Sequence, residues 1–91
     1  MQRIEAIVYG HVHGVSFRYY THREAERLRL TGWVANRADG TVTVVAEGPE
    51  NSLDQLVRFL RRGSPAAHVT NVQTAFLPAT GEFTNFSVRW L

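Results

Sequence analysis

The segment Tyr9-Gly-His-Val-His-Gly-Val-Ser-Phe-Arg18 constrains this chain more than any other. It follows an apolar, strand-like stretch, carries glycines at positions 10 and 14, and runs straight into a helical pattern. A glycine-bearing loop between a strand and a helix aims several backbone N–H groups at one point. The helix start adds the positive end of its dipole. An arginine closes the loop with a permanent positive charge. Together these make a small anion-binding cup whose natural guest is a phosphate or a carboxylate.

The flanking residues say what holds the cup. Ile4, Ala6 and Val8 alternate over Arg3 to Tyr9 as in a half-buried strand. From Phe17 to Leu30 the spacing turns helical, with Phe17, Thr21, Ala25 and Leu28 on one side, and Gly32 is the expected helix-ending residue. Trp33 to Arg37 reads as a second strand. Asp39-Gly40 is a hairpin turn, and Thr41 to Glu47 a β-branched third strand. Gly48 to Ser52 breaks the chain and offers capping groups for a new helix. Leu53, Leu56, Val57 and Leu60 then recur at helical spacing, and Arg61 and Arg62 place cations at the helix end. Val69 to Leu77 is a fourth strand. Phe83 to Trp90 is either a fifth strand or an arm, with Phe86, Val88 and Trp90 on one face.

The order β-α-β-β-α-β, with a short loop-linked extra segment before the last strand, predicts an α+β fold. It is the split-βαβ, ferredoxin-like sandwich (βαββαβ): an antiparallel sheet with two helices on one face. Ninety-one residues predict one domain, 1–91. No apolar run is long enough to span a bilayer, and the first residues enter a strand rather than a signal peptide. Without cysteine there is no disulfide framework and no thiolate metal site, which suits a cytoplasmic location. A net charge of +2 is too small to imply nucleic-acid binding. All ten basic residues are arginine, which reads as coding bias before ion-pair networks.

Four stretches together, Gly10 to Arg18, Gly32-Trp-Val-Ala-Asn36, Asp39-Gly-Thr-Val42 and Glu47-Gly-Pro49, resemble the acylphosphatases, in order and over nearly the whole chain. The resemblance implies hydrolysis of carboxyl-phosphate mixed anhydrides without a metal or other cofactor. It implies that His11, Val12, His13, Gly14, Val15, Ser16, Phe17 and Arg18 form the phosphate cradle. Arg18 matches the family's catalytic, phosphate-binding arginine, and Asn36 its water-positioning asparagine. The partners implied are a small acyl phosphate and inorganic phosphate, with no nucleic acid and no membrane, and a monomer is expected. Two positions depart from the family's commonest pattern. His13 stands where glutamine is usual, and Ser16 where glycine is frequent. Neither departure touches Arg18 or Asn36; both bear on the tuning of the loop.

The residue types suit this chemistry. An arginine fork gives phosphate two parallel charge-assisted hydrogen bonds. A solvated arginine at a helix start is the blander alternative, but a cation there is disfavoured unless an anion accompanies it. Asn36 has an amide that donates and accepts, and so orients a water; by itself it also reads as a turn former. His11 and His13 invite a metal, yet no third ligand has a clear spacing, so exposed or locally bonded histidines are expected there, and His22 on the helix surface. No carboxylate pair suggests an acid/base dyad. Trp33, Trp90, Phe17, Phe59 and Phe86 are expected in the core. Two other classes stay open. An RNA-recognition module of the same fold would need an aromatic Arg/Lys-Gly-Phe-type run, which is absent. An anion-sensing domain would bind phosphate without turnover. Carbamoyl phosphate, the substrate of related domains in hydrogenase-maturation proteins, is an alternative within the same chemistry.

Overall fold

The computed structural model describes residues 1–91. Alternating apolar residues build β1 (Gln2–His11), and a helical stripe builds α1 (Phe17–Arg27). They are followed by β2 (Thr31–Asn36), β3 (Val42–Gly48), α2 (Glu50–Arg62), β4 (His68–Pro78) and β5 (Phe86–Trp90). The sheet order is β4-β1-β3-β2-β5. Ile4, Ala6 and Val8 of β1 share one core with Val42, Val44 and Ala46 of β3, Phe17 and Ala25 of α1, and Leu53, Leu56 and Leu60 of α2. Each fully buried leucine contributes roughly 1.5–3 kcal/mol by leaving water. On α2 Phe59 joins the buried stripe, whereas Val57, expected there, is half-buried at its margin.

The expectation of an antiparallel sheet holds from β4 to β2 and needs correction at the other edge. The segment Phe86–Trp90 is a true strand, and it pairs with β2 in parallel, with Gly32 opposite Phe86 and Asn36 opposite Trp90. The reason lies in the connection. β4 finishes beside Gln2, at the end of the sheet where β3 finishes and β2 begins. Residues 79–85 cross that end, so the next strand must start beside the start of β2 and run with it.

A buried carboxylate fastens this crossing. Glu47, at the end of β3, accepts hydrogen bonds from the Thr80 N–H (2.9 Å), the Thr80 hydroxyl (2.9 Å), the Gly81 N–H (3.0 Å) and Arg3 Nη1 (3.1 Å). Burial alone would raise its pKa. The donated hydrogen bonds outweigh burial and hold the group at about 2. Arg3 also reaches Glu82 (2.7 Å) and Glu5 (2.9 Å).

The exit from α1 corrects a second expectation. The helix stops at Arg27, and Gly32 lies inside β2. Arg29 takes the left-handed conformation at φ 58°. Its N–H donates to the Glu26 carbonyl and the Leu30 N–H to the Ala25 carbonyl, at 3.0 and 2.9 Å. This is the bond pattern of a Schellman ending with arginine where glycine is usual, and the buried Leu30 supplies its apolar contact. The second helix starts without a side-chain cap, contrary to the capping groups expected around Pro49.

Candidate active site

β1 delivers the loop through a register shift between Tyr9 and Gly10. Gly10 has φ 125°, and a Cβ there would collide with the carbonyl oxygen of His68, so the strand bends only because no side chain is present. The loop is then clamped from beneath. Val12 is buried and Val15 packs on the core. The Ser64 hydroxyl donates to the Val15 carbonyl at 2.7 Å. His13 Nε2 lies 2.8 Å from the Thr41 carbonyl, which only accepts, so the ring donates from Nε2 and ties the loop to the β2–β3 hairpin.

Gly14 (φ 68°) and Ser16 (φ 59°) are left-handed, while Val15 between them has the ordinary sign. Alternation of this kind turns successive N–H groups toward a common point. The backbone amides from Val12 to Tyr19 donate to no backbone carbonyl; the first such bond at the helix start is from Tyr20 to Ser16, at 3.1 Å. The first turn of α1 has no acidic residue, and Ser16 makes no side-chain cap. The dipole and the free donors are therefore uncompensated by the protein itself. The positive φ at Ser16 also explains why a glycine would suit this position.

Arg18 and Asn36 come together in a cleft of about 490 Å³ next to this loop. Gly14, Ser16 and Phe17 contribute from the loop and helix start, and Tyr19, His22, Val88 and Trp90 from α1 and β5. Arg18 Nη1 and Asn36 Oδ1 are both buried, and neither has a hydrogen-bond partner. Thr21 Oγ1, inside α1's core face, is the third such atom. A buried polar group left unpaired costs about 1–3 kcal/mol, so two in one cleft mark a place shaped for something else. The hairpin turn is served by other groups. The Asp39 carboxylate accepts from the Thr41 hydroxyl and from the Thr41 N–H (3.0 Å), and these bonds lower its pKa. Asn36 sits one step earlier, in the strand, free of the turn role that its sequence context allowed.

Of the loop residues, Val12, Gly14, Ser16, Phe17 and Arg18 line the cleft. His11 is exposed at the end of β1, opposite His68, and His13 turns its ring to Thr41, so neither side chain lines it. No three His, Cys, Asp or Glu side chains are placed so that they could hold a metal ion. Sequence reasoning missed two wall residues. His22 is half-buried against β5, with Nε2 3.0 Å from the Phe86 carbonyl and Nδ1 3.6 Å from Glu26. Trp90, expected in the core, is 82% exposed, with its ring 4.3 Å from the Arg18 guanidinium carbon. The alternation Phe86, Val88, Trp90 did carry the correct face. The missing knowledge was the neighbour: alignment with β2 sets Trp90 beside Asn36.

Comparison with known proteins adds independent findings. The acylphosphatase family model matches residues 4–88. An acylphosphatase of Methylococcus capsulatus is 47% identical over 88 residues, covering 97% of this chain and 96% of that protein. One from Bacillus licheniformis is 42% identical over 90 residues, covering 99% and 100%. The crystal structure of acylphosphatase from Bacillus subtilis superposes with a TM-score of 0.95 at 40% identity, covering 98% of this chain and 99% of that one.

Proposed function

The chain belongs to the acylphosphatase family, and from that premise we propose how its cleft hydrolyses acyl phosphates. The phosphoryl group sits in the loop from His11 to Arg18, held by the amides between Val12 and Tyr19 and by the Arg18 fork. Asn36 orients the attacking water. Water attacks phosphorus as the bond between phosphorus and the acyl oxygen breaks. The bond electrons leave with the carboxylate, which is stable without protonation. The water's proton passes to the phosphoryl oxygens, giving inorganic phosphate. No acid/base dyad is required, because such transfers rest on positioning and charge stabilisation. Arg18 and the oriented amides supply the charge that a metal ion supplies elsewhere.

One observation carries this reading: Arg18 Nη1 and Asn36 Oδ1, a cationic donor and a neutral acceptor, are both buried and unpartnered in one cleft beside undonated amides. A phosphoryl group and a water satisfy both. The whole chain, 1–91, then acts as one domain and as a monomer in the cytoplasm, with neither nucleic acid nor membrane as a partner. In its favour, the family model spans residues 4–88, and no helix is long and apolar enough to cross a membrane.

The test is turnover of benzoyl phosphate with and without excess chelator. Release of benzoate and phosphate at equal rates in both conditions is expected. Complete, metal-reversible loss would sink the metal-free mechanism. Phosphate binding without turnover would leave an anion-sensing domain.

A further inference from the structure

Arg18 has a positional problem. Its guanidinium makes no ion pair and no hydrogen bond, and one of its nitrogens is buried without a partner. A long side chain free of bonds loses about 2 kcal/mol of rotamer entropy when a ligand fixes it. Trp90 offers the one specific contact the guanidinium makes, its ring 4.3 Å away. Trp90 itself is 82% exposed and contributes little to the core. Its ring is held by the guanidinium rather than by the core.

We propose that Trp90 is a positioning residue for Arg18, stacking on the guanidinium so that its fork is aimed at the cradle before substrate arrives. The choice of an aromatic partner has a chemical logic. A carboxylate would also fix the fork, but it would neutralise the charge and occupy the N–H groups that phosphate needs. An aromatic face acts on the plane of the guanidinium and leaves the N–H groups at its edge free. The ring is placed by the backbone: parallel pairing sets Trp90 opposite Asn36. Val88, two residues earlier on the same face, carries the cleft wall on from it.

This rests on the reading of Arg18 as the phosphate ligand. That reading fails separately, if Arg18→Ala leaves inhibition by inorganic phosphate at the wild-type level. For Trp90 the comparison is Trp90→Leu, which keeps bulk without a π face, against Trp90→Phe, which restores one. Steady-state kinetics with benzoyl phosphate, and inhibition by inorganic phosphate, are read for both. Loss of a stack of this kind corresponds to roughly 3- to 30-fold in affinity. Trp90→Leu should raise KM and the phosphate inhibition constant together by that factor, with kcat changed less, and Trp90→Phe should recover most of it. Wild-type constants in Trp90→Leu would overturn the proposal. So would equal losses in both variants, which would make the ring mere packing for β5. Should Trp90→Leu fail to fold, the decision passes to Trp33→Phe, which leaves Trp90 as the sole indole. Saturating inorganic phosphate should change its emission, and an unchanged spectrum would overturn the proposal.

Discussion

The two ends of the sheet each withdraw a charged group from water, and they treat it in opposite ways. At one end Glu47 is buried, and Arg3, Thr80 and Gly81 saturate its oxygens. At the other, Arg18 has a buried nitrogen with no partner, next to the equally unpaired oxygen of Asn36. The first arrangement is closed and holds the chain together. The second is open, and in the proposed mechanism its unmet donors and acceptor are bonds kept for a substrate. Charge and burial alone would class both ends as special; the state of their hydrogen bonds separates the structural end from the chemical one.

Substitutions should divide along the same line. At the open end the largest effect falls on rate. Arg18→Lys keeps the charge but loses the fork, and kcat/KM should fall by at least about 10³-fold, comparable with losing a strong oxyanion donor. Asn36→Ala should lower kcat by roughly 10²–10³-fold and leave phosphate inhibition near wild type. Unfolding free energies of both should stay within about 1 kcal/mol of wild type, since no hydrogen bond within the protein is lost. A steep loss of stability in Arg18→Lys would break the comparison.

At the closed end the effect falls on stability. Glu47→Ala strands the Thr80 and Gly81 N–H donors and leaves Arg3 only Glu5 and Glu82 as partners; it should cost about 3 kcal/mol, read from denaturant unfolding at neutral pH. The pH dependence has a definite sign. Glu47 has its pKa lowered in the fold, from 4.5 to about 2. The unfolded chain therefore takes up a proton first. The group's contribution is fully present above about pH 4.5 and is lost as pH falls toward 2. The stability gap between wild type and Glu47→Gln should accordingly narrow over that range. A constant gap would remove Glu47 as the acid-sensitive fastening. The smallest effect belongs to neither end: Arg29→Gly should relieve the left-handed residue after α1 and stabilise by roughly 0.5–1 kcal/mol without changing kcat.

What was legible in the sequence followed from local pattern. The stripe Leu53, Leu56, Leu60, the Asp39-Gly40 turn and the glycines of the loop each carry their own periodicity or backbone demand. What was not legible depended on partners distant in sequence. The alternation in β5 names a face but no neighbour, so neither its parallel run along β2 nor the place of Trp90 was readable. His22 read as a surface histidine because its partner, the Phe86 carbonyl, lies on that same strand. The end of α1 was misread because arginine carries no local signal for the left-handed turn it makes. Arg18 was readable as an anion ligand from its place at the helix start, whereas Asn36 alone read as a turn former. The family resemblance singled them out, and the fold brings them into one cleft.

The interior place of β1, between β4 and β3, also bears on when this protein becomes competent. Gln2 lies opposite Gly48 on one side and Pro78 on the other, so β1 is framed by strands that follow it at long sequence separation. Pairings of this kind require large loop closures before they stabilise anything, and they slow folding. The loop from Val12 to Ser16 springs directly from the end of β1, and the bulge that aims it is set by pairing with β4. The frame of the cup is therefore complete only where β1 and β4 have paired. A chain that has formed its helices and its β2–β3 hairpin still lacks the frame that aims the loop amides, and turnover begins only once the most distant parts of the sequence have met.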